Sequence, residues 1–169
     1  MKKKIVVLGF LGTNLDLGGK ARWGRWRPTI SLGQQDDLLV DRFELFYEKN
    51  FLDLAQLVQK DFQQVSPETE FNLREVVLKD PWDFQTVYSG IFDNLKDYKF
   101  DTDNEEYLVH ITTGTHVIQI CLFLLTESRH IPGKLLQTHM QKSRNPNGTY
   151  TIIALDLSKY CLLYTSPSP

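Results

Sequence analysis

The chain has 169 residues, 41% of them apolar and 24% charged, with 19 Lys/Arg against 21 Asp/Glu. That length supports one sizeable core rather than two, and the balance excludes a disordered tail, a coiled-coil rod and a collagen-like polymer. No apolar run reaches the length needed to span a bilayer.

Lys2-Lys3-Lys4 before Ile5–Leu11 has the outline of a secretory signal, but the apolar part is short and no small-x-small cleavage site follows. A buried first strand, Lys4–Gly9, running into the turn Gly9-Phe10-Leu11-Gly12-Thr13 explains it better. A stretch rich in glycine, arginine and tryptophan follows, from Asn14 to about Gly33. Leu39–Tyr47 reads as a second strand. Phe51, Leu54, Ala55, Val58, Phe62 and Val65 then recur at helical spacing, and Ser66-Pro67 stops that helix. Phe71–Leu78 is expected as a third strand. Asp80 is placed to cap the next helix, with Pro81 in its first turn and Asp83 near its positive end. The buried stripe of that helix is Phe84, Val87, Tyr88, Ile91, Phe92 and Leu95. Tyr107–Ile111 is a fourth strand, leading into Thr112-Thr113-Gly114-Thr115-His116. The helix from Val117 to about Ser128 is apolar nearly all round, so either the fold or a second subunit must cover both its sides. Pro132-Gly133 marks a turn, Leu135–His139 a short strand, and Asn145-Pro146-Asn147-Gly148 a tight loop before Tyr150–Leu157.

Strands alternating with helices in this rhythm predict an α/β, doubly wound, mostly parallel sheet with helices on both faces. Ligands bind such folds beyond the carboxyl ends of the strands, where the strand order reverses. In the common order the first and fourth strands are neighbours there, and two glycine-containing loops of this chain follow those two strands. Gly9, Phe10, Leu11, Gly12 and Thr13 would form one wall of a ligand site. Thr112, Thr113, Gly114, Thr115 and His116 would form the other, where a strand opens into a helix whose free N–H groups attract anions.

Other motifs narrow the chemistry. Gly9–Thr13 lacks the dinucleotide-binding glycine spacing, and Asn14–Ala21 lacks the first glycine and final Ser/Thr of a phosphate-binding loop. The acids Asp101, Asp103, Glu105 and Glu106 lack calcium-loop spacing, and His110 with His116 has no third zinc ligand nearby in sequence. No cofactor, metal or catalytic residue is therefore expected. Lys20–Arg27 interleaves cations with Trp23 and Trp26, a composition suited to phosphates and unpaired bases. Arg22 and Arg25 are its candidate ligand contacts; the alternative is that these arginines bind local acids while the indoles pack inward. Residues 1–30 carry seven Lys/Arg against one acid, and residues 41–106 carry sixteen acids against seven bases. Such asymmetry fits a ligand face and a solvated face on one domain. Cys121 and Cys161 make no disulfide framework, and a cytoplasmic location is expected.

Gly9–Thr13, Arg22-Trp23, Trp26-Arg27-Pro28, Val65–Thr69, Asp80–Phe84 and His110–His116 together resemble the amino-terminal sensor domains of the RtcR family, activators of bacterial RNA-repair operons. The resemblance covers nearly all of residues 3–160. It implies a Rossmann-like CARF fold, related to the ligand sensors of CRISPR systems, that binds RNA ends with a 2′,3′-cyclic phosphate such as cleaved tRNA. In that family the sensor precedes an AAA+ ATPase acting on sigma-54 RNA polymerase and a DNA-binding helix-turn-helix, and ligand binding relieves inhibition of the ATPase. CARF domains generally pair as dimers. The ATPase and DNA-binding parts are not in this chain, so an activator role is expected of a longer parent and no enzyme activity of the chain itself. The expected domain is residues 1–160, with Cys161–Pro169 as a non-native tail. Two alternatives remain: a CARF enzyme cleaving cyclic oligonucleotides, and a small-nucleotide-binding module without RNA specificity.

Overall fold

Val6, Val7 and Leu8 have no exposed surface, as a continuous apolar run requires when a strand is covered on both faces. In the computed structural model, which describes residues 2–141 and 145–154, this run is β1, Lys4–Phe10. It is joined by β2 (Arg42–Tyr47), β3 (Glu70–Glu75), β4 (Glu105–His110), β5 (Gly133–Gln141) and β6 (Asn145–Ile153). These strands form one sheet in the order β3-β2-β1-β4-β5-β6. The first five are parallel and β6 is antiparallel to β5. The doubly wound sheet read from the sequence is the one observed.

Side chains alternate across the pleat and feed two cores. Val7, Leu11, Phe43, Leu45, Leu108 and Leu136 pack beneath α1 (Pro28–Ser31, a single turn) and α2 (Leu52–Val65). There Phe43, Phe62 and Phe71 meet with ring centroids 4.9–5.3 Å apart, a distance at which aromatic pairs attract beyond their area burial. Val6, Leu8, Phe10, Phe46 and Val109 pack beneath α3 (Phe84–Leu95) and α4 (His116–Glu127). Across β2, β3 and β4, Arg42 and Arg74 pair with Glu44, and Arg42 also pairs with Glu105. Part of the acidic middle of the chain is thus neutralised inside the sheet.

Several local expectations change. Asp83, not Asp80, caps α3: its carboxylate accepts from Thr86 N at 2.9 Å, while Asp80 accepts from Trp82 N. Pro81 and Trp82 therefore lie in the approach to the helix, and Phe84, at its first position, is exposed. Asn145–Gly148 is not a tight loop but the start of β6, because Asn145 pairs with Gln141 and Thr149 with His139. β2 begins at Arg42 rather than Leu39, whose side chain is exposed. In α4 the fold buries Val117, Ile118, Cys121, Leu122 and Leu125 but leaves Ile120 and Leu124 exposed, so it covers one side only. Cys161 and the rest of the expected tail lie outside the described residues. Among the described residues no helix is long and apolar enough to cross a membrane.

Candidate functional site

The sheet order makes β1 and β4 neighbours, with Gly9 paired to His110 in the last register position. From there the chain leaves β1 toward β2 and leaves β4 toward β5, opening a crevice between the two departing loops. The loops touch. Thr113 Oγ1 donates to Phe10 O at 2.6 Å, and a Cβ on Gly12 would lie 2.9 Å from both Thr113 Cγ2 and Asp16 Oδ2. Only glycine permits that approach.

The β1 loop is fixed from beneath by a carboxylate. Asp16 is fully buried; Oδ2 accepts from Gly12 N at 2.9 Å and from Thr29 Oγ1 at 2.6 Å, and Oδ1 accepts from Thr29 N at 3.0 Å. Burial pushes this carboxyl above its ordinary range, against the hydrogen bonds from Thr29 and Gly12 and the nearby Arg27 charge. Phe10 and Leu11 are buried in the two cores, so their side chains shape the loop, whereas Thr13 is half-buried at its crest.

The β4 loop is fixed by hydroxyls. Thr112 Oγ1 accepts from Thr138 N at 2.9 Å, and Thr115 Oγ1 caps α4 at Ile118 N while donating to Pro81 O. Gln119 Nε2 donates to Gly114 O at 3.0 Å and to Thr112 O at 3.3 Å. Of the first α4 amides the cap satisfies Ile118; those of His116 and Val117 have no intrahelical acceptor. The three threonine hydroxyls are thus engaged by the protein, and the His116 side chain is exposed. Its ring lies 5.3 Å from that of Trp82, which brings the loop after β3 to the crevice.

The arginine stretch divides. Arg22 grips Asp61 of α2 through Nε at 2.7 Å and Nη2 at 3.3 Å, and its Nη1 donates to Gly19 O. Arg27, 3% exposed, donates from Nη1 to the same carboxylate at 2.8 Å. Burial alone would raise the Asp61 pKa, but these two guanidiniums hold it below the usual carboxylate range. Arg25 is exposed and donates to Leu17 O. Arg22 and the buried Arg27 thus both bind a local acid, and among the described residues the partner of Arg25 is a backbone carbonyl. His110, at the end of β4, is wholly buried; desolvation drives its pKa down to about 3, and Nε2 is 2.9 Å from Thr138 Oγ1. Among the described residues no group of His, Cys, Asp and Glu could hold a metal ion.

Sequence reasoning named the two loops but missed Asp16, Thr29 and Asp61, which hold the β1 loop and the arginine stretch after it, and left open whether Trp82 reaches the site. Asp16 carried one readable signal: it is the lone acid among seven cations in the first thirty residues.

A family model described as "Regulator of RNA terminal phosphate cyclase" (RtcR) matches residues 3–166. The transcriptional regulatory protein RtcR of Escherichia coli (strain K12) is 46% identical over 163 residues, covering 94% of this chain and 31% of that protein. The chain thus spans about a third of the length of that curated relative. Among solved structures, Enterococcus italicus Csm6 bound to cyclic hexa-2′-fluoro-hexa-dAMP aligns at a TM-score of 0.70 and 14% identity, over 96% of this chain and 45% of that one. Can2 from Sulfobacillus thermosulfidooxidans, in complex with cyclic tetra-adenylate, aligns at 0.52 and 15% identity, over 80% of this chain and 32% of that one. At such identities the likeness is one of fold, the Rossmann-like CARF fold.

Proposed function

The chain belongs to the RtcR family of regulators, and from that premise we propose that it is the ligand-sensing domain of a transcriptional activator, binding RNA ends that carry a 2′,3′-cyclic phosphate. The observation that carries this reading is the contact of the two loops at the switch point, with Thr13, His116 and two helix amides without an intrahelical acceptor at the crevice. A cyclic phosphate is a compact monoanion, which suits the positive end of α4 and backbone donors. Gly9, Phe10, Leu11, Gly12, Thr112, Thr113, Gly114 and Thr115 form the walls, while Thr13 and His116 face the ligand. Arg25 supplies steering charge, and Arg22 acts through Asp61 to position the stretch that carries it. Binding is read by an AAA+ ATPase in the longer protein, whose partners are sigma-54 RNA polymerase and DNA. The exposed Ile120 and Leu124 of α4 support a dimer through the sensor.

The competing reading is cleavage of a cyclic oligonucleotide in the same crevice, which needs an aligned 2′-hydroxyl and a proton acceptor. The alignment with Csm6 and Can2, each bound to a cyclic oligonucleotide, favours testing it. Against it, the hydroxyls of Thr112, Thr113 and Thr115 are already engaged, which leaves His116 as the exposed titratable side chain of its loop. One experiment separates the readings: titrate the chain at fixed salt with one short RNA ending in either a 2′,3′-cyclic phosphate or a 3′-hydroxyl, then assay the RNA and cyclic tetra-adenylate for cleavage. Preference for the cyclic end with both substrates intact is the expected result. Equal affinity for the two ends overturns the end-sensor reading, and turnover establishes the enzyme.

A further inference from the structure

Trp82 keeps 60% of its surface exposed, more than either of the other tryptophans. An indole in water forgoes a large apolar gain on burial. The helix start does not explain it. Trp82 precedes the cap Asp83, the position from which a hydrophobic staple packs on the fourth helical residue, here Val87. Val87 has no exposed surface and lies in the core, yet Trp82 remains largely uncovered. Its aromatic neighbour among the described residues is His116, at 5.3 Å between ring centroids and a tilt of 58°. An indole this exposed has at least one face free.

Its backbone, by contrast, is tied down. Trp82 N donates to Asp80 Oδ1 at 3.0 Å, Asp83 N donates to Asp80 O at 3.1 Å, and Pro81 O accepts from Thr115 Oγ1 at 2.9 Å. The last bond fastens the loop after β3 to the residue that caps α4, so the indole has a fixed post at the crevice. A tryptophan on a fixed backbone loses little freedom when a ligand covers it.

Charge decides what can cover it. Asp80 and Asp83 bracket the indole, and Lys79 is the one base nearby in sequence, so this corner has no excess positive charge for a phosphate. A nucleobase, with an uncharged π-face, suits it. The spacing also fits. The α4 amides of His116 and Val117, which lack an intrahelical acceptor, begin at the same residue whose ring meets the indole. In a 2′,3′-cyclic phosphate a single ribose separates the phosphate from its own base, and in the protein the single residue His116 spans the matching gap. Ile120 and Leu124, the aliphatic part of the same α4 face, lie one and two turns further along the helix.

We propose that Trp82 is a stacking platform for the terminal nucleobase of the RNA, the base on the ribose whose cyclic phosphate lies at the start of α4. The assignment to an RNA end rests on the sensor reading above; the stacking rests on the indole.

The test measures the affinity of the full chain and two variants for a short cyclic-phosphate RNA whose last nucleotide carries a base or a hydrogen in its place, with the 3′-hydroxyl RNA as control. Trp82→Leu keeps an apolar side chain without a π-face, and Trp82→Phe keeps a smaller π-face. The position is exposed, so both variants should fold, and melting curves check this. Trp82→Leu is expected to bind the complete RNA about tenfold more weakly, and Trp82→Phe to recover most of that loss. Removing the terminal base is expected to weaken wild-type binding by a similar factor and to leave Trp82→Leu binding unchanged, the non-additivity that direct contact produces. Equal affinity of wild type and Trp82→Leu, or a base deletion that costs both the same, overturns the platform; a cyclic-end preference that survives leaves the sensor standing. Coupling between Trp82 and the last base without preference for the cyclic end overturns the sensor and keeps the platform for RNA ends in general. No binding of either RNA overturns both. Sedimentation completes the test: a dimer that dissociates in Trp82→Leu, with the base deletion costing both proteins the same, assigns the indole to a subunit contact and overturns the platform.

Discussion

The loop after β1 and the loop after β4 meet across Gly12 and Thr113, yet they are held by different forces. Buried carboxyl groups organise the first: Asp16 gathers Gly12 and Thr29, and Arg27, two residues before Thr29, reaches Asp61, which Arg22 also grips. Neutral hydroxyls organise the second, each making one or two bonds, with Phe10, Pro81, Ile118 and Thr138 as partners. Buried charges are costly to unpair, whereas a hydroxyl cap contributes modestly. The β1 wall is therefore rigid as long as its counter-charges are present, and the β4 wall tolerates change.

This difference orders the expected effects. Asp61→Ala leaves the buried Arg27 guanidinium without its anion and should cost about 4 kcal/mol of unfolding free energy, read by urea denaturation. A loss under about 1 kcal/mol would show that the pair does not organise the wall. Asp16→Ala removes the acceptor of three hydrogen bonds and should cost about 2–3 kcal/mol, with Asp16→Asn recovering part. His110 sharpens the contrast through pH. In the fold it stays neutral down to about pH 3, and unfolded it takes a proton near its ordinary pKa of 6.5. Its contribution is complete above that unfolded value and is lost as pH falls toward the folded one. Stability should drop by about 2 kcal/mol between about pH 7.5 and pH 5, and His110→Gln should remove that part of the slope. The smallest effect belongs to the β4 wall, where Thr115→Ala deletes a cap worth about 1 kcal/mol. A cost equal to that of Asp61→Ala would erase the distinction between the walls.

The same difference explains what was legible in the sequence. The elements of the β4 wall are local, since strand, threonine-glycine turn and helix start occupy consecutive residues that periodicity and capping rules reach. The partners of its hydroxyls, Phe10, Pro81 and Thr138, are distant in sequence. The position of β1 beside β4 followed from the alternation of elements, since few sheet orders accommodate it. The supports of the β1 wall are not local. Asp61 lies 34 residues beyond Arg27, on a helix whose spacing announces only its apolar stripe, and nothing in the spacing says which arginine it takes. Asp83 displaced Asp80 as a cap because hydrogen-bond geometry, not residue type, decides between two acids three positions apart. Asn145–Gly148 reads as a turn, but pairing with β5 absorbs it into a strand. Trp82 reached the crevice through His116, a contact between loops that no single segment shows.

The central claim, that the crevice between β1 and β4 receives the anionic RNA end, is tested most directly by placing a negative charge there. Thr13→Glu alters a half-buried residue outside the buried network, so the measurement is the affinity of cyclic-phosphate RNA for wild type and variant, with melting curves as the control. The account predicts unchanged melting and binding weaker by at least about tenfold, a difference of about 1.4 kcal/mol. Equal affinity in a folded variant would place the RNA end elsewhere on the molecule and contradict the account.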